Sequence, residues 1–398
     1  MNTVTRPLNW RSNPFVRTLW LFFSHPQARA VGLVFASDSL LFGSWVAHIP
    51  HVKQTLQLSD GELGVLLFAL PAGLITMNPF TGKIIAKLGE AQACFWAAVG
   101  LCLSICIPIN APNVVVLGTG LYIVGLCNAL LNVAMNTCAT NIERAEGISI
   151  ISSCHGMWSL GGMIGSAIAG AVITLHITPP VHLVTMAVLM LLITFALRPI
   201  LARIPATPSS TSASFTRPNL ALLIMIFIGL ALAMGEGVAF DWSAVYLRES
   251  LGATSQVAAL GFGAFSLTMT LGRFAGDTLI PRIGAKRWLQ IGGLIGALGL
   301  VLAILLPVPM AGLAGFALLG VGCSLGAPIL YAAALRIPGI PPAAGLATFA
   351  TFSFVGFLAG PPIIGFVAEG YGLRWGLAVV VVMLLLSSAL AKQVDLNE

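Results

Sequence analysis

The sequence predicts an all-α membrane protein with twelve transmembrane helices in two pseudo-symmetric six-helix bundles. Composition is the first reason: 58% of the 398 residues are hydrophobic and only 8% are charged, whereas soluble domains are about 25% charged. The second reason is an internal repeat, in which Gly161, Gly165 and Gly170 recur as Gly356, Gly360 and Gly365, each 195 residues later. Two apolar halves of similar pattern are typical of secondary transporters with parallel repeats.

Each half contains six apolar stretches of about 20 residues, the length that a helix needs to cross ~30 Å of hydrocarbon. In the first half the predicted spans are 29–49, 61–82, 91–109, 114–140, 150–173 and 180–198, and in the second half they are 219–244, 256–279, 288–306, 311–336, 345–368 and 373–391. The stretches are too long and too uniformly apolar for barrel strands, so helices are expected.

These spans divide the chain into five segments. We expect an N-terminal segment (1–28), a first bundle (29–198), a linker (199–218), a second bundle (219–391) and a C-terminal tail (392–398). The linker is rich in Pro, Ser and Thr, a composition typical of flexible connections. The apolar run in the first segment is too short for a secretion signal, so the N-terminus is expected to remain uncleaved.

The basic residues predict the orientation in the membrane. With both termini in the cytoplasm, sixteen of the nineteen Lys and Arg residues lie on the cytoplasmic side, and only Lys53, Arg248 and Arg374 lie outside. This asymmetry follows the positive-inside rule. It predicts a multi-pass protein of the cell inner membrane with cytoplasmic termini. The basic residues are scattered, so a nucleic-acid partner is not expected.

Three acidic residues in or near the spans are candidates for proton coupling. Asp38 lies in the first span and Glu236 in the seventh, its repeat partner, while Asp241 lies nearer the outer end. If Trp45 and Trp242 mark an outer aromatic belt, Asp38 and Glu236 lie at similar depth, ~10 Å inward. An ionisable group in hydrocarbon is costly, so each acid has either a transport role or a hydrogen-bonded structural role.

A row of amides and a histidine provide candidates for solute binding. Asn128, Asn132 and Asn136 share one face of the fourth span over ~12 Å, which suits a cavity for hydroxyl or amine groups or contacts between helices. His155 lies near the start of the fifth span, and Ser159 follows one turn later. His155 belongs either to the solute site or to a structural hydrogen-bonded contact. The glycines that follow Ser159 and their repeat partners predict close helix contacts between the bundles, and Pro361 and Pro362 predict a bend.

Arg273 and Asp277, one turn apart near the end of the eighth span, are the predicted inner gate. Two loops resemble those of the major facilitator superfamily: the stretch from Arg273 to Arg287 and its counterpart around Lys83 and Lys87. In that family a pattern of glycine, acidic and basic residues in these loops latches the inward gate. The first copy departs from that pattern, with Ala86 where an acid is usual, so the resemblance favours the second copy as the gate.

A narrower resemblance covers nearly all of the chain after residue 28. It rests on the segments 132–136, 152–162, 236–242, 271–277 and 360–365. Together these resemble the MosC/YbjJ-like bacterial branch of the superfamily. The resemblance implies a twelve-helix inner-membrane carrier and includes sugar-like or inositol-amine compounds among the possible solutes. The proline-containing motif of drug antiporters is missing from the fifth span.

The expected function is secondary active transport of a small polar solute by alternating access, coupled to protons. The alternative is a proton-driven exporter of drugs or metabolites, and sequence does not separate import from export. An intramembrane enzyme is disfavoured because no nucleophile and base pair and no HExxH spacing is present, and a solute sensor would usually carry an added soluble domain. The expected partners are the solute, protons and the lipid bilayer, with no cofactor or metal, and the carrier is expected to function as a monomer.

Overall fold

The computed structural model describes residues 20–205, 216–340, 342–353 and 355–394, without the side chains of residues 277, 278, 342, 343 and 347. Throughout these ranges the regular elements are helices. Eleven helices are long and apolar enough to span a membrane, and a twelfth span is a pair of helices bent by 43°. The predicted all-α fold with twelve transmembrane helices is confirmed.

We number the spanning helices α1 to α12 in chain order. In the first half they are α1 (Pro26–Val46, followed by the short helix Ile49–Thr55), α2 (Asp60–Leu88), α3 (Glu90–Ile109), α4 (Val114–Glu146), α5 (Ile151–Thr174) and α6 (Pro179–Leu201). In the second half they are α7 (Leu220–Asp241), α8 (Ser255–Ile283), α9 (Ala285–Leu305), α10 (Pro309–Ala334), α11 (Pro342–Ser353 and Val355–Tyr371) and α12 (Leu373–Leu390).

The repeat is visible in how matched helices end. Gly89 follows α2 with φ +81°, and Gly284, its partner 195 residues later, follows α8 with φ +86°. A positive φ is strained for residues with a Cβ atom, so glycine is favoured at both positions. The same local geometry in both halves supports the duplication inferred from sequence.

The prolines have different effects in α10 and α11. The predicted single span 311–336 is broken after Cys323, and a new helix begins at Gly326. Pro328 has no backbone N–H to donate to Ser324, which accounts for a break at this point. The helix Val355–Tyr371, in contrast, runs through Pro361 and Pro362 without ending, so the bend expected there is not a helix break.

The glycine-rich faces serve two kinds of contact. Gly161 and Gly165 of α5 pack against the backbone of α1, within the same half. Gly170 of α5 and Gly365 of α11 instead face α8 and α2 in the opposite half. The expectation that these faces all lie between the bundles was therefore only partly right, because the same stripe also holds each bundle together.

Two pairs of helices make most of the contact between the two halves. We call the end with residues 201, 219 and 394 the termini end, and the opposite end the far end. The main contacts between halves are α5 with α8 and α2 with α11. The main packing partners of α4 all lie in the first half, and those of α10 all lie in the second. α5 and α8 stay in contact from Gly170, which meets Leu260 near the far end, to Gly156, which meets Phe274. The α2–α11 contact lies at the far end, where Gly64 meets Pro361.

Candidate functional site

Asp38 is a buried carboxylate in the middle of α1. Its side chain is 2% exposed. Asn128 Nδ2 of α4 donates to Asp38 Oδ1 at 2.9 Å, and Trp158 Nε1 of α5 donates to Asp38 Oδ2 at 3.0 Å. Both carboxylate oxygens therefore accept a hydrogen bond from an N–H group. Three helices of the first half converge on this acid.

The row of amides runs from Asp38 towards the termini end. Asn128 contacts Asp38, as described, while Asn136 Nδ2 donates to the Asn132 backbone oxygen at 2.8 Å. Asn128 and Asn136 are half-buried, and Asn132 is exposed. These three residues lie on one face of α4, which begins at a buried acid and includes an exposed amide, Asn132.

An aromatic cluster joins the two halves beside Asp38. The ring of Trp158 lies 5.7 Å from the ring of Phe240 in α7, and Phe240 contacts Phe262 of α8 at 4.6 Å and Phe357 of α11 at 6.4 Å. Trp158 thus touches an acid of its own half and an aromatic group of the other. Trp158 is not among the residues predicted from sequence, although it is adjacent to Ser159.

Glu236 borders the same cluster from the second half, since it precedes Phe240 by one turn of α7. It is half-buried, and within the described ranges no ion pair or hydrogen bond of its side chain is found. Arg273 of α8 is close enough to interact with Glu236 electrostatically. Asp38 is bonded to Trp158, and Glu236 lies one helical turn from Phe240, which is in contact with Trp158.

Arg273 lies within the bundle and does not form a latch with a described residue at its surface. Its Nη1 donates to Ser159 Oγ of α5 at 3.1 Å, and Ser159 is 1% exposed. This contact joins a predicted gate residue to a predicted solute-binding residue in the opposite half. The side chain of the other gate candidate, Asp277, lies outside the described residues.

The remaining predicted residues lie around this centre. His155 is half-buried, with its ring 5.3 Å from the ring of Phe35 in α1. Asp241 ends α7 beside Trp242 and is half-buried. Trp242 is fully buried and Trp45 is 3% exposed. The prediction that these two tryptophans form an outer aromatic belt is therefore wrong, because both rings are buried among helices.

A charged cluster closes the far end between the halves. Lys53 Nζ lies 2.6 Å from Asp60 Oδ1 of α2 and 2.5 Å from Glu249 Oε2 of the second half. The Lys53 side chain is 10% exposed. The sequence indicates only that Lys53 is one of three basic residues on the outer side of the membrane, and does not indicate its partners. Its partner Glu249 is 196 residues away, so its role depends on how the halves pack.

We expect Lys53→Gln to loosen the far end. The change leaves Asp60 and Glu249 without their cation, which costs ~1–3 kcal/mol for a pair that is mostly but not fully buried. Spin labels at exposed Gln57 and Ser255, on a background without reactive cysteines, should show a larger population with separated far ends. Lys53→Arg is the matched control and should retain the closed distance; an unchanged distance in Lys53→Gln would show that the cluster does not hold this end.

Comparisons with known proteins agree with this architecture. The chain matches the Major Facilitator Superfamily over residues 30–340 and 222–393. It is 31% identical over 368 residues to an uncharacterized MFS-type transporter of Yersinia pestis, covering 92% of this chain and 96% of that protein. It is 29% identical over 352 residues to the membrane protein MosC of Rhizobium meliloti, covering 88% and 86%.

Solved structures share the fold at low sequence identity. A crystal structure of the nucleoside transporter NupG aligns with TM-score 0.72 and 14% identity, covering 93% of this chain and all of that one. A bacterial homolog of the human lysosomal transporter Spinster, in an inward-facing and occupied conformation, aligns with TM-score 0.73 and 15% identity, covering 94% and 97%. With these matches and its twelve spans, the chain belongs to the major facilitator superfamily, in its MosC-like bacterial branch, as a multi-pass secondary transporter.

Proposed function

We propose that this transporter moves a small polar solute across the inner membrane by alternating access, coupled to protons. One observation carries the proposal. Asp38 and Glu236 come from repeat-related helices; Asp38 bonds Trp158, which touches Phe240 of the other half, and Glu236 lies one turn from Phe240. An acid inside the membrane is costly unless it is neutralised or hydrated. Whether such a group is protonated consequently depends on whether water from the cytoplasmic or the outer side has access to it.

The packing of the halves supports alternation. The far end is closed by the Lys53 cluster and by the α5–α8 and α2–α11 contacts, while α4 and α10 are separated. A second state requires the far end to open and α4 and α5 to approach α10 and α11. Because the positive-inside rule places both termini in the cytoplasm, the described state opens to the cytoplasm in this proposal.

The two acids have different surroundings and therefore different proposed roles. Asp38 already accepts a hydrogen bond on each oxygen, so its protonation would compete with Asn128 or Trp158. Glu236 has no such donors within the described part of the chain and lies near Arg273. We therefore assign proton exchange chiefly to Glu236. Asp38 orients the amide row that binds hydroxyl groups of the solute, and Asp241 lies on the route to the far end.

Reconstitution into liposomes that contain a pH-sensitive dye tests the proposal. Polyols, amino sugars, sugar acids and lipophilic cations are added outside, one at a time, with and without an imposed pH gradient. We expect at least one small polar compound to move protons with it and to accumulate against its gradient. Equal rates of solute transport with and without the pH gradient would contradict proton coupling. Responses confined to lipophilic cations would favour the exporter alternative.

A further inference from the structure

Arg273 has more hydrogen-bonding capacity than its described neighbours use. A guanidinium group carries five N–H donors and is charged at all physiological pH values. One donor of Arg273 binds Ser159 Oγ at 3.1 Å, and no other hydrogen bond of this side chain is found among the described residues. Arg273 is half-buried inside the bundle. A cation at this depth is stabilised by an anionic partner or by a water-filled cavity.

Packing brings Arg273 and Glu236 to the same turn of α10. Gly235, next to Glu236, packs against the Cys323 sulfur, and Gly272, next to Arg273, packs against the Ser324 side chain. Other titratable groups also surround this region. Arg273 interacts electrostatically with His155 of α5 and Cys323, and Glu236 with Tyr331 of α10. Among the described groups facing Arg273, Glu236 is the carboxylate.

The described conformation leaves this acid and base close but not bonded. The ion pairs of the described residues do not include one between Glu236 and Arg273, and Asp277, one turn along α8, lies outside the described side chains. Among the described side chains, Ser159 is the one hydrogen-bond partner of Arg273, which leaves guanidinium donors for a further acceptor. A planar guanidinium suits a carboxylate particularly well, because two parallel hydrogen bonds can form.

We infer that the transported solute carries a carboxylate or comparable anionic group, which binds Arg273 in competition with Glu236. This inference rests on the proposed function and names its class of solute. A proton on Glu236 removes the competing charge, so the proton and the solute anion bind together and the net charge of the site is unchanged. The amide row includes exposed Asn132 and offers donors and acceptors that suit hydroxyl groups. The expected class is hydroxylated organic acids.

Matched compounds separate the charge of the solute from its shape. Purified protein is tested by thermal shift, at pH 6 and pH 8, against triplets in which one carbon skeleton carries an acid, an alcohol or an amine. Gluconate, sorbitol and glucamine form one triplet, and three-carbon and four-carbon hydroxy acids with their alcohols and amines form others. We expect stabilisation only by acids, with tighter binding at pH 6. Absence of any stabilising acid overturns the inference, whether or not other compounds bind.

Three variants test the residues. Arg273→Gln should weaken binding of the stabilising acid roughly 30-fold or more, the usual effect of removing one partner of a buried charge pair. Arg273→Lys keeps the charge but loses the paired geometry, so an intermediate loss is expected even if Arg273→Gln fails to fold. Glu236→Gln mimics the protonated acid and should bind tightly at both pH values. Retained binding in both Arg273 variants would overturn the assignment.

His155→Gln is the control for the pH effect. It removes the other titratable group that faces Arg273 from α5, and the pH dependence of acid binding should persist. Loss of the pH dependence in this variant, with the dependence intact in Glu236→Gln, would assign the competition to His155 and overturn the role of Glu236. If neutral or amine compounds bind and move protons in liposomes while acids do not, the inference fails and the proposed function stands. If acids bind but move no protons, the proposed function fails instead.

Discussion

Glu236→Gln should abolish accumulation of solute driven by a proton gradient while exchange of solute at equilibrium continues. The amide has nearly the same shape as the protonated acid but cannot release a proton, so the step that links proton movement to solute movement is lost. In liposomes we expect uptake against a gradient to fall to the level of empty vesicles. Counterflow of labelled solute should remain within about threefold of the unmodified protein, because the alternating movement needs no net proton transfer.

Glu146→Gln is the matched control for this prediction. Glu146 is an exposed acid at the termini end of α4, with a weak contact to His25 at 3.8 Å. Because exposed ion pairs contribute little, this variant should accumulate solute normally. Full accumulation by Glu236→Gln would remove Glu236 from coupling. Loss of both accumulation and exchange would indicate a role in solute binding or in the conformational change.

Gly165→Leu should severely reduce the amount of folded protein. Gly165 lies where α5 crosses α1, and a side chain there meets the carbonyl oxygen of Leu40 and the backbone nitrogen of Ser44. Backbone atoms cannot move aside as a flexible side chain can, so we expect a destabilisation at or above the usual upper value of ~3 kcal/mol for overpacking. Size-exclusion chromatography of a fluorescent fusion should show little monodisperse protein, and the thermal midpoint of the remainder should fall.

Gly82→Leu provides the control for the size and helix propensity of leucine. Gly82 also lies within a helix, α2, but a Cβ atom there has no neighbour within 4 Å. Leucine has a higher helix propensity than glycine, so this variant should be at least as stable as the unmodified protein. Equal behaviour of the two variants would show that the α1–α5 crossing tolerates separation and that the close approach is not required.

The sequence predicted the helices well because their formation is a local property. A stretch of apolar residues long enough to cross the bilayer must satisfy its backbone hydrogen bonds internally, whatever its neighbours are. Gly89 and Gly284 lie 195 residues apart, the spacing of the sequence repeat, and adopt similar backbone conformations in the two halves. Asp38 and Glu236 were identified for a similar reason, since an acid inside an apolar stretch is conspicuous without any structure.

The partners of these residues could not be predicted in the same way. Asp38 is bonded by residues 90 and 120 positions away, and Arg273 binds a serine 114 positions away. Such contacts depend on how helices cross and rotate against one another. Trp45 and Trp242 illustrate the difference: an aromatic residue near a helix end suits both a membrane interface and a packed core, and only the neighbouring helices determine which one applies.

The sequence by itself determined the membrane location, the twelve helices, their duplication and the candidate acids, because burial cost and hydrogen bonding act on each segment separately. Only the tertiary structure decided that Lys53 joins the halves at the far end, that Trp158 links Asp38 to Phe240, and that Arg273 lies inside the bundle. These contacts arise between helices that are distant in the chain, where shape and packing, rather than composition, select the neighbours.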